Sequence, residues 1–406
     1  MATVTIDTFE GAASALRNPD LAQALYDEGA VVMADALIVL HGEEHRKRRH
    51  MEFGVFRRNF FRWYETEVFP KTLESTIAPD IARGRTDVVD LGYRVTMNLT
   101  ADFAGIDRPD NSPEETAALL KLVVTFSEGA TLVHSTRDKD EVREEVRAAL
   151  AVFEERFLAP AIDRRKGLIA LFEAGEIAEE DLPRDVLTVL LRNEDRLPLP
   201  PDVLTREIAF YLQAGAHSTA NSTVHGLNRV FEWRAAHPSD AERLRTDPLF
   251  LQRCVHESLR LHPASPVAWR KPMAPITLTD GREVNEGDRL VIDLQAANRD
   301  RSIFGDNADA FDPNRAIPPG KWPFGLTFGF GVHACLGRDL DGGLIPRGDS
   351  LPGDHQYGTV TLFIRRLLSA GARLDPDDPP TQATYTERAN FGRYPIVFDP
   401  DLRWTL

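Results

Sequence analysis

The stretch Phe328-Gly329-Phe330-Gly331-Val332-His333-Ala334-Cys335-Leu336-Gly337 decides how this chain is read. Two glycines just before a cysteine let the backbone turn tightly and approach a flat ligand closely. A cysteine presented in this way near a helix start gains thiolate character from neighbouring backbone N–H groups. A thiolate is one of the axial ligands that proteins offer to haem iron. Residue chemistry alone leaves other readings open. A lone buried cysteine is usually a small hydrophobe. His333-x-Cys335 could be half of a zinc site, although no second Cys or His pair stands at workable spacing and Cys254 is the only other thiol. Gly329-x-Gly331 lacks a third glycine and follows no evident strand, which argues against a dinucleotide loop.

The rest of the chain narrows the class. It has 406 residues, 42% of them hydrophobic and 27% charged, an ordinary globular composition with ample length for an enclosed ligand site. Its 48 basic and 63 acidic residues give a net charge of −15, which argues against a general nucleic-acid binder and leaves room for a local basic patch. Two cysteines exclude a disulfide scaffold and make a reducing cytoplasm the default. The apolar stretch Gly29 to Leu40 is short and carries Asp35, so no membrane span is expected. The N-terminus has no basic cluster followed by an apolar run, so no signal peptide is expected.

Helical periodicity dominates. Val142, Val146, Leu150, Phe153 and Phe157 form one stripe over Asp140–Leu158, and the stretches Val89–Phe103 and Thr116–Phe126 read similarly. After Leu197-Pro198-Leu199-Pro200-Pro201, Asp202 is expected to cap a helix running to Trp233, about 45 Å long. A second helix, Pro248 to Leu261, is stopped by Pro263. Pro266 to Ile292 reads as small hairpins, and 296–331 as a long irregular region. Tyr394–Phe398 reads as a strand. The expected class is mainly α with small β-sheets.

Four ordered stretches now acquire one explanation. Phe-Gly-x-Gly-x-His-x-Cys-x-Gly at 328–337 resembles the haem-binding loop of the cytochrome P-450 superfamily. Glu257-Ser258-Leu259-Arg260 resembles its Glu-x-x-Arg motif, Phe311–Arg315 resembles the segment supplying a third partner, and Ala297-Asn298-Arg299-Asp300 lies where the family often has the same four letters. The resemblance runs from about Val4 to Phe398, and one haem domain over 1–406 is expected. Independently of the name, Glu257 and Arg260 share a helix face, and Arg315 could complete a buried Glu–Arg–Arg cluster. In the family such a cluster pins the thiolate loop.

The resemblance implies haem b held by Cys335 through its iron, with Phe328, Gly329, Leu336 and Gly337 around it. His45 and Arg49 match a helix whose His and Arg reach the haem propionates, and His333 and Arg270 are further candidates. Arg46, Lys47 and Arg48 are expected to be solvated. The resemblance also implies that the long helix crosses the distal face of the haem. The family's Ala-Gly-x-(Asp/Glu)-Thr stands here as Ala214-Gly215-Ala216-His217-Ser218, with Thr219 next. The acid is replaced by His217, which could relay protons or be a satisfied core histidine, and Ser218 takes the alcohol position. Phe210, Gln213, Ala214, Val267, Ala268, Trp269 and Phe391 are expected to line a mainly hydrophobic substrate pocket.

The activity implied is that of a monooxygenase on a small organic substrate. Electrons would come from NAD(P)H through a separate ferredoxin- or flavodoxin-type donor. The altered relay keeps open a peroxide-using or otherwise atypical enzyme, and a haem-binding protein without turnover. The chain departs from the family pattern at two places. The usual early segment is missing before Val4, so the fold is expected to be N-terminally shortened and more open, or covered by a partner, on the substrate-entrance side. An insertion, 341–354, follows the ligand loop and could shape the choice of electron donor.

Overall fold

The computed structural model describes residues 2–110, 112–346 and 355–405. Residues 347–354 of the expected insertion therefore lie outside the described residues. Eight helices position the site: α1 (Phe9–Arg17), α2 (Gly42–Glu52), α3 (Val88–Ala104), α4 (Pro113–Ala130), α5 (Lys139–Phe153), α6 (Pro201–Ala236), α7 (Pro248–Leu261) and α8 (Thr359–Ser369). The chain is mainly helical with small sheets, as its periodicity predicts.

Helix α6 has 36 residues and is about 54 Å long. It starts two residues earlier than an Asp202 cap would place it. Pro201 takes the first turn, where its missing N–H costs nothing, and Asp202 complements the helix dipole instead of capping it. The stripe of α5 also runs further than expected. A wide turn at Glu154–Leu158 carries the chain into a further helix, Ala159–Glu173, and Pro160, which lacks a donor, follows that turn. Helix α7 has the predicted bounds.

Four strands form the larger sheet: β1 (Thr3–Ile6), β2 (Leu21–Gln23), β4 (Val267–Pro272) and β7 (Arg289–Asp293), in the order β1-β7-β4-β2. The chain order also includes β3 (Arg85–Asp87), the short hairpin β5 (Ile276–Thr277) and β6 (Glu283–Val284), β8 (Ala372–Leu374), β9 (Thr381–Gln382), β10 (Phe391–Arg393) and β11 (Pro395–Phe398). β1 runs parallel to β7, and β4 is antiparallel to both β7 and β2. In register, Arg270 stands opposite Gln23, which brings a basic strand residue beside the segment after α1.

The core gathers around α6. Thr96 and Thr100 of α3 donate to the carbonyls of Ala216 and Leu212 at 3.0 and 3.2 Å. Gly215 makes this approach possible, because a Cβ there would lie 2.2 Å from the Thr100 methyl. Within the expected insertion, Asp341 ends a four-residue helix and Leu344 N donates to Gln356 O at 2.9 Å. The two ends of the excursion thus meet before α8 begins. The Glu65 carboxylate accepts from Tyr357 N and Gly358 N at the start of α8.

One charged residue departs from expectation. Arg46 and Lys47 are exposed on α2, but Arg48 is 2% exposed. It pairs with Glu52 and with Glu207 of α6. The Tyr211 hydroxyl donates to Glu52 in the same cluster. A guanidinium can be buried only when paired, and α6 supplies a partner 159 residues away that no local pattern announces.

Candidate active site

The loop at 328–337 folds back on itself. Cys335 N donates to Phe328 O at 2.8 Å, and Gly329 and Gly331 adopt left-handed φ of 67° and 73°. Gly331 also lies against α1, where a Cβ would meet the Leu16 carbonyl at 2.7 Å. Both glycines are therefore required, Gly329 by its turn and Gly331 by turn and packing.

Behind the loop lies a buried ionic network. Arg260 donates to both oxygens of Glu257 at 2.7 Å, and Arg315 Nε reaches Glu257 Oε1 at 3.0 Å. Arg260 also donates to the Asn298 and Ala308 carbonyls, and Asp312 N donates to Glu257 Oε1. Asn298 accepts from Leu326 N at 2.7 Å, and the Thr327 hydroxyl donates to Leu259 O. The charges of α7 are thereby tied, hydrogen bond by hydrogen bond, to the chain entering the cysteine loop.

Between the loop and α6 lies a cavity of about 330 Å³, within the range of small-molecule sites. Phe328, Gly329, His333, Cys335, Leu336 and Gly337 line it on one side. His45, Arg49 and Arg270 line its flank. The open surface of Cys335 faces this space, and burial pushes its thiol up to about 11. A thiol so placed ionises readily only against a cation, and a metal ion is the strongest.

The flank is made for anions. The rings of His45 and His333 stack with centroids 4.3 Å apart, and the buried Nε2 of each has no partner. Burial, helped by Arg49 for His45 and by His45 for His333, lowers their pKa values to about 4 and about 3. Arg270 is 3% exposed and donates only to Gln23 Oε1 and its neighbour's carbonyl, and Arg49 donates to the Ala334 carbonyl. Neither arginine has a carboxylate partner among the described residues. Orphaned imidazole nitrogens and unpaired guanidiniums around a thiol fit the two propionates and the iron of haem.

On the opposite wall, Phe210, Tyr211, Ala214, Gly215, Ser218, Thr219 and Ser222 face the cavity at helical spacing. That stripe excludes Gln213 and His217, which were expected in the site. Gln213 is buried against Met33, 3.9 Å from its sulfur. His217 Nδ1 lies 2.7 Å from the Tyr93 hydroxyl, and its Nε2 lies 3.0 Å from Arg388 Nη1. Arg388 can only donate, so Nε2 accepts and the ring is neutral. Burial, and then Arg388, hold its pKa at about 3. The one ring proton of His217, on Nδ1, is directed at the Tyr93 hydroxyl and away from the cavity, and its surroundings are those of a satisfied core histidine. Ser218 Oγ donates to Ala214 O at 2.7 Å.

Three other expected lining residues also fall elsewhere. Strand β4 alternates, so Ala268 and Arg270 face the cavity and Val267 and Trp269 do not. Trp269 instead lies under the Arg289 guanidinium, 4.4 Å from it. Phe391 packs against His225 and Tyr394. Sequence reasoning missed Tyr26, which lines the cavity, and buried Arg388 behind His217. It placed Asp341 in a surface insertion, yet Asp341 also lines the cavity, where its buried Oδ1 has no hydrogen-bond partner. Burial raises its carboxyl to about 6.

Comparison with known proteins agrees with this geometry. Residues 232–340 match the family model described as Cytochrome P450. The chain is 26% identical over 312 residues to "Putative cytochrome P450 YjiB" of Bacillus subtilis, covering 76% of this chain and 70% of that protein. It is 32% identical over 169 residues to "Putative cytochrome P450 126" of Mycobacterium tuberculosis, covering 41% and 38%. Among solved structures, CalO2 superposes with a TM-score of 0.72 at 21% identity, over 98% of this chain and 90% of that one. P450BioI, solved in complex with an acyl carrier protein ligated to hexadec-9Z-enoic acid, superposes with a TM-score of 0.74 at 19% identity, over 97% and 92%.

The fold and the cysteine loop define a haem-thiolate class of protein. The chain belongs to the cytochrome P-450 superfamily. It is accordingly a haem b protein and an oxidoreductase of the monooxygenase class. Among the described residues, no helix is long and apolar enough to cross a membrane.

Proposed function

We propose that this chain, acting as one haem unit, inserts an oxygen atom from dioxygen into a mainly hydrophobic small molecule, with electrons from NAD(P)H through a separate ferredoxin- or flavodoxin-type donor. The observation that carries the reading is a single cavity bounded by the Cys335 loop, by the orphaned imidazole nitrogens of His45 and His333, by Arg49 and Arg270, and by the Ala214–Thr219 stripe of α6. Bound there, haem supplies the activation of dioxygen. Cys335 Sγ would hold the iron, and its thiolate character would favour O–O cleavage. His45, His333, Arg49 and Arg270 bind and orient the propionates. Glu257, Arg260 and Arg315 hold the loop in place from behind. Phe56, Phe103 and Phe210 exclude water and offer an apolar surface to substrate.

Proton handling falls to the hydroxyls. Ser218 and Thr219 face the cavity, and His217 is neutral and turned away. That observation supports a second reading, in which peroxide replaces dioxygen and reductant, because peroxide brings its own protons. The experiment supplies the holoprotein with a ferredoxin–reductase pair and NADPH under isotopically labelled dioxygen. Label in the product supports the monooxygenase. Unlabelled product formed as fast with hydrogen peroxide alone favours the second reading. Substrate-independent NADPH use with no product contradicts both.

A further inference from the structure

Phe103 faces two spaces at once. It lines the cavity beside Phe56, Leu99 and Thr100, and it also lines a surface groove of about 980 Å³. Among the described residues it is the one that lines both. The groove meets solvent at Trp63, which is 47% exposed, and its floor includes the buried Phe60, Tyr64 and Ile106. Here the wall between groove and cavity is one side chain thick. That wall is firm at its base. Phe103 sits in the last turn of α3, and Gly105 follows with φ of 95°, so close to the neighbouring chain that a Cβ would lie 2.6 Å from Asp185 Oδ1. Arg165 in turn holds Asp185 at 2.7 Å and Asp107 at 2.9 Å.

The ring itself is held only by other rings. Tyr64, Phe60 and Phe56 stand 4.6, 5.2 and 6.0 Å from it, centroid to centroid. A phenyl group that turns about its own bond gives up dispersion contacts and no hydrogen bond. On the groove side the helix Arg58–Trp63 passes into a wide turn at Tyr64–Val68, an irregularity of the kind that often marks functional places. The throat around the ring is apolar. The Tyr64 hydroxyl donates to Leu99 O at 3.3 Å and the Thr100 hydroxyl to Leu212 O at 3.2 Å, so the nearest polar side chains are spent on the backbone. Water or an ion crossing there would lose its hydrogen bonds with none offered in return. A small apolar molecule has none to lose, and a bulky substrate is wider than one ring.

We propose that the groove is a second mouth of the haem cavity, closed by the Phe103 ring, through which dioxygen enters without displacing a substrate lodged against Phe210. This rests on the haem-thiolate reading and assigns that site a separate entrance for its gaseous substrate. Phe103 acts as a gate by its width and carries no chemistry.

The test uses ferrous holoprotein and carbon monoxide, a diatomic close to dioxygen in size. The bimolecular rebinding rate is read after flash photolysis of the carbonyl. Phe103→Leu is expected to raise that rate about threefold or more, and Phe103→Trp to lower it by a similar factor. Val68 lines the groove and not the cavity. Val68→Trp therefore fills the groove from outside, and it is expected to slow rebinding about threefold. Should the Phe103 variants not fold, wild type and Val68→Trp decide. A Val68→Trp rate equal to that of wild type overturns the proposal, even where the Phe103 variants differ, because their effect would then arise inside the cavity. Slower rebinding in Phe103→Leu overturns it as well. The absorption band of the same carbonyl reports the haem-thiolate reading separately. A thiolate band with unchanged rates sinks the second mouth alone, and a band of histidine ligation sinks that reading while the rates still decide the mouth.

Discussion

The two walls of the cavity are built on opposite principles. On the cysteine side every buried charge of the ionic network is matched. Glu257 takes Arg260 and Arg315, and their remaining donors end on carbonyls. On the helix side the backbone is held by neutral hydroxyls from Thr96 and Thr100, and the nearby cation, Arg388, faces a neutral histidine. A matched network fixes geometry and leaves nothing for a ligand to satisfy. An unmatched one leaves a charge that a ligand can answer. The comparison assigns rigidity to the loop and leaves an unmatched charge behind the helix wall.

The largest expected effect tests the rigid side. Glu257→Ala strands two buried guanidiniums and should cost about 3–5 kcal/mol of stability, seen as a lower urea midpoint and loss of haem on purification. A change under about 1 kcal/mol would show that the network is not holding the loop.

pH separates the two walls next. His45, His333 and His217 are held neutral in the fold, with pKa values lowered to about 4, 3 and 3. The unfolded chain binds protons at these sites below about pH 6.5. Their contribution is therefore full above about 6.5 and is lost as pH falls towards 4. Bound propionates would favour protonated His45 and His333, so apoprotein should lose more stability than holoprotein between pH 7.5 and about 5.5. His217→Gln should remove only the helix-side share, up to roughly 3 kcal/mol by pH 4. Identical pH slopes for apo- and holoprotein would place the propionates elsewhere.

Smaller effects are expected at single contacts. Arg270→Leu should weaken haem retention about tenfold, near 1.4 kcal/mol, measured by haem transfer to an acceptor apoprotein. Unchanged transfer would remove Arg270 from the propionate set. Ser218→Ala should lower product per reducing equivalent severalfold, below about 1.4 kcal/mol, and His217→Gln should leave it unchanged. The reverse ranking would restore the histidine as a proton carrier.

The sequence made the cysteine side legible because its chemistry is local. The motif at 328–337 and the i,i+3 pair of Glu257 and Arg260 each sit within a few residues. Helix α7 and strand β11 also came within a residue of their predicted bounds, since prolines and short apolar runs punctuate the chain there. The helix wall was legible as a helix but not as a face. Which residues of α6 meet the cavity depends on how α3 presses Thr100 against Gly215, and that contact set Gln213 and His217 aside. Strand alternation likewise chose Ala268 over Val267 and Trp269. Arg48 and Arg388 were out of reach for another reason. Their partners, Glu207 and His217, lie 159 and 171 residues away, and nothing in the flanking sequence marks either arginine as buried.

The account turns on Cys335 as the iron ligand, and the most direct test is the absorption spectrum of the reduced, carbon-monoxide-bound holoprotein beside that of Cys335→Ser. The wild type is predicted to show the band characteristic of a thiolate-ligated ferrous carbonyl, and Cys335→Ser, with haem still bound, to lack it. A wild-type spectrum typical of histidine ligation, or a thiolate band that persists in Cys335→Ser, would contradict the account.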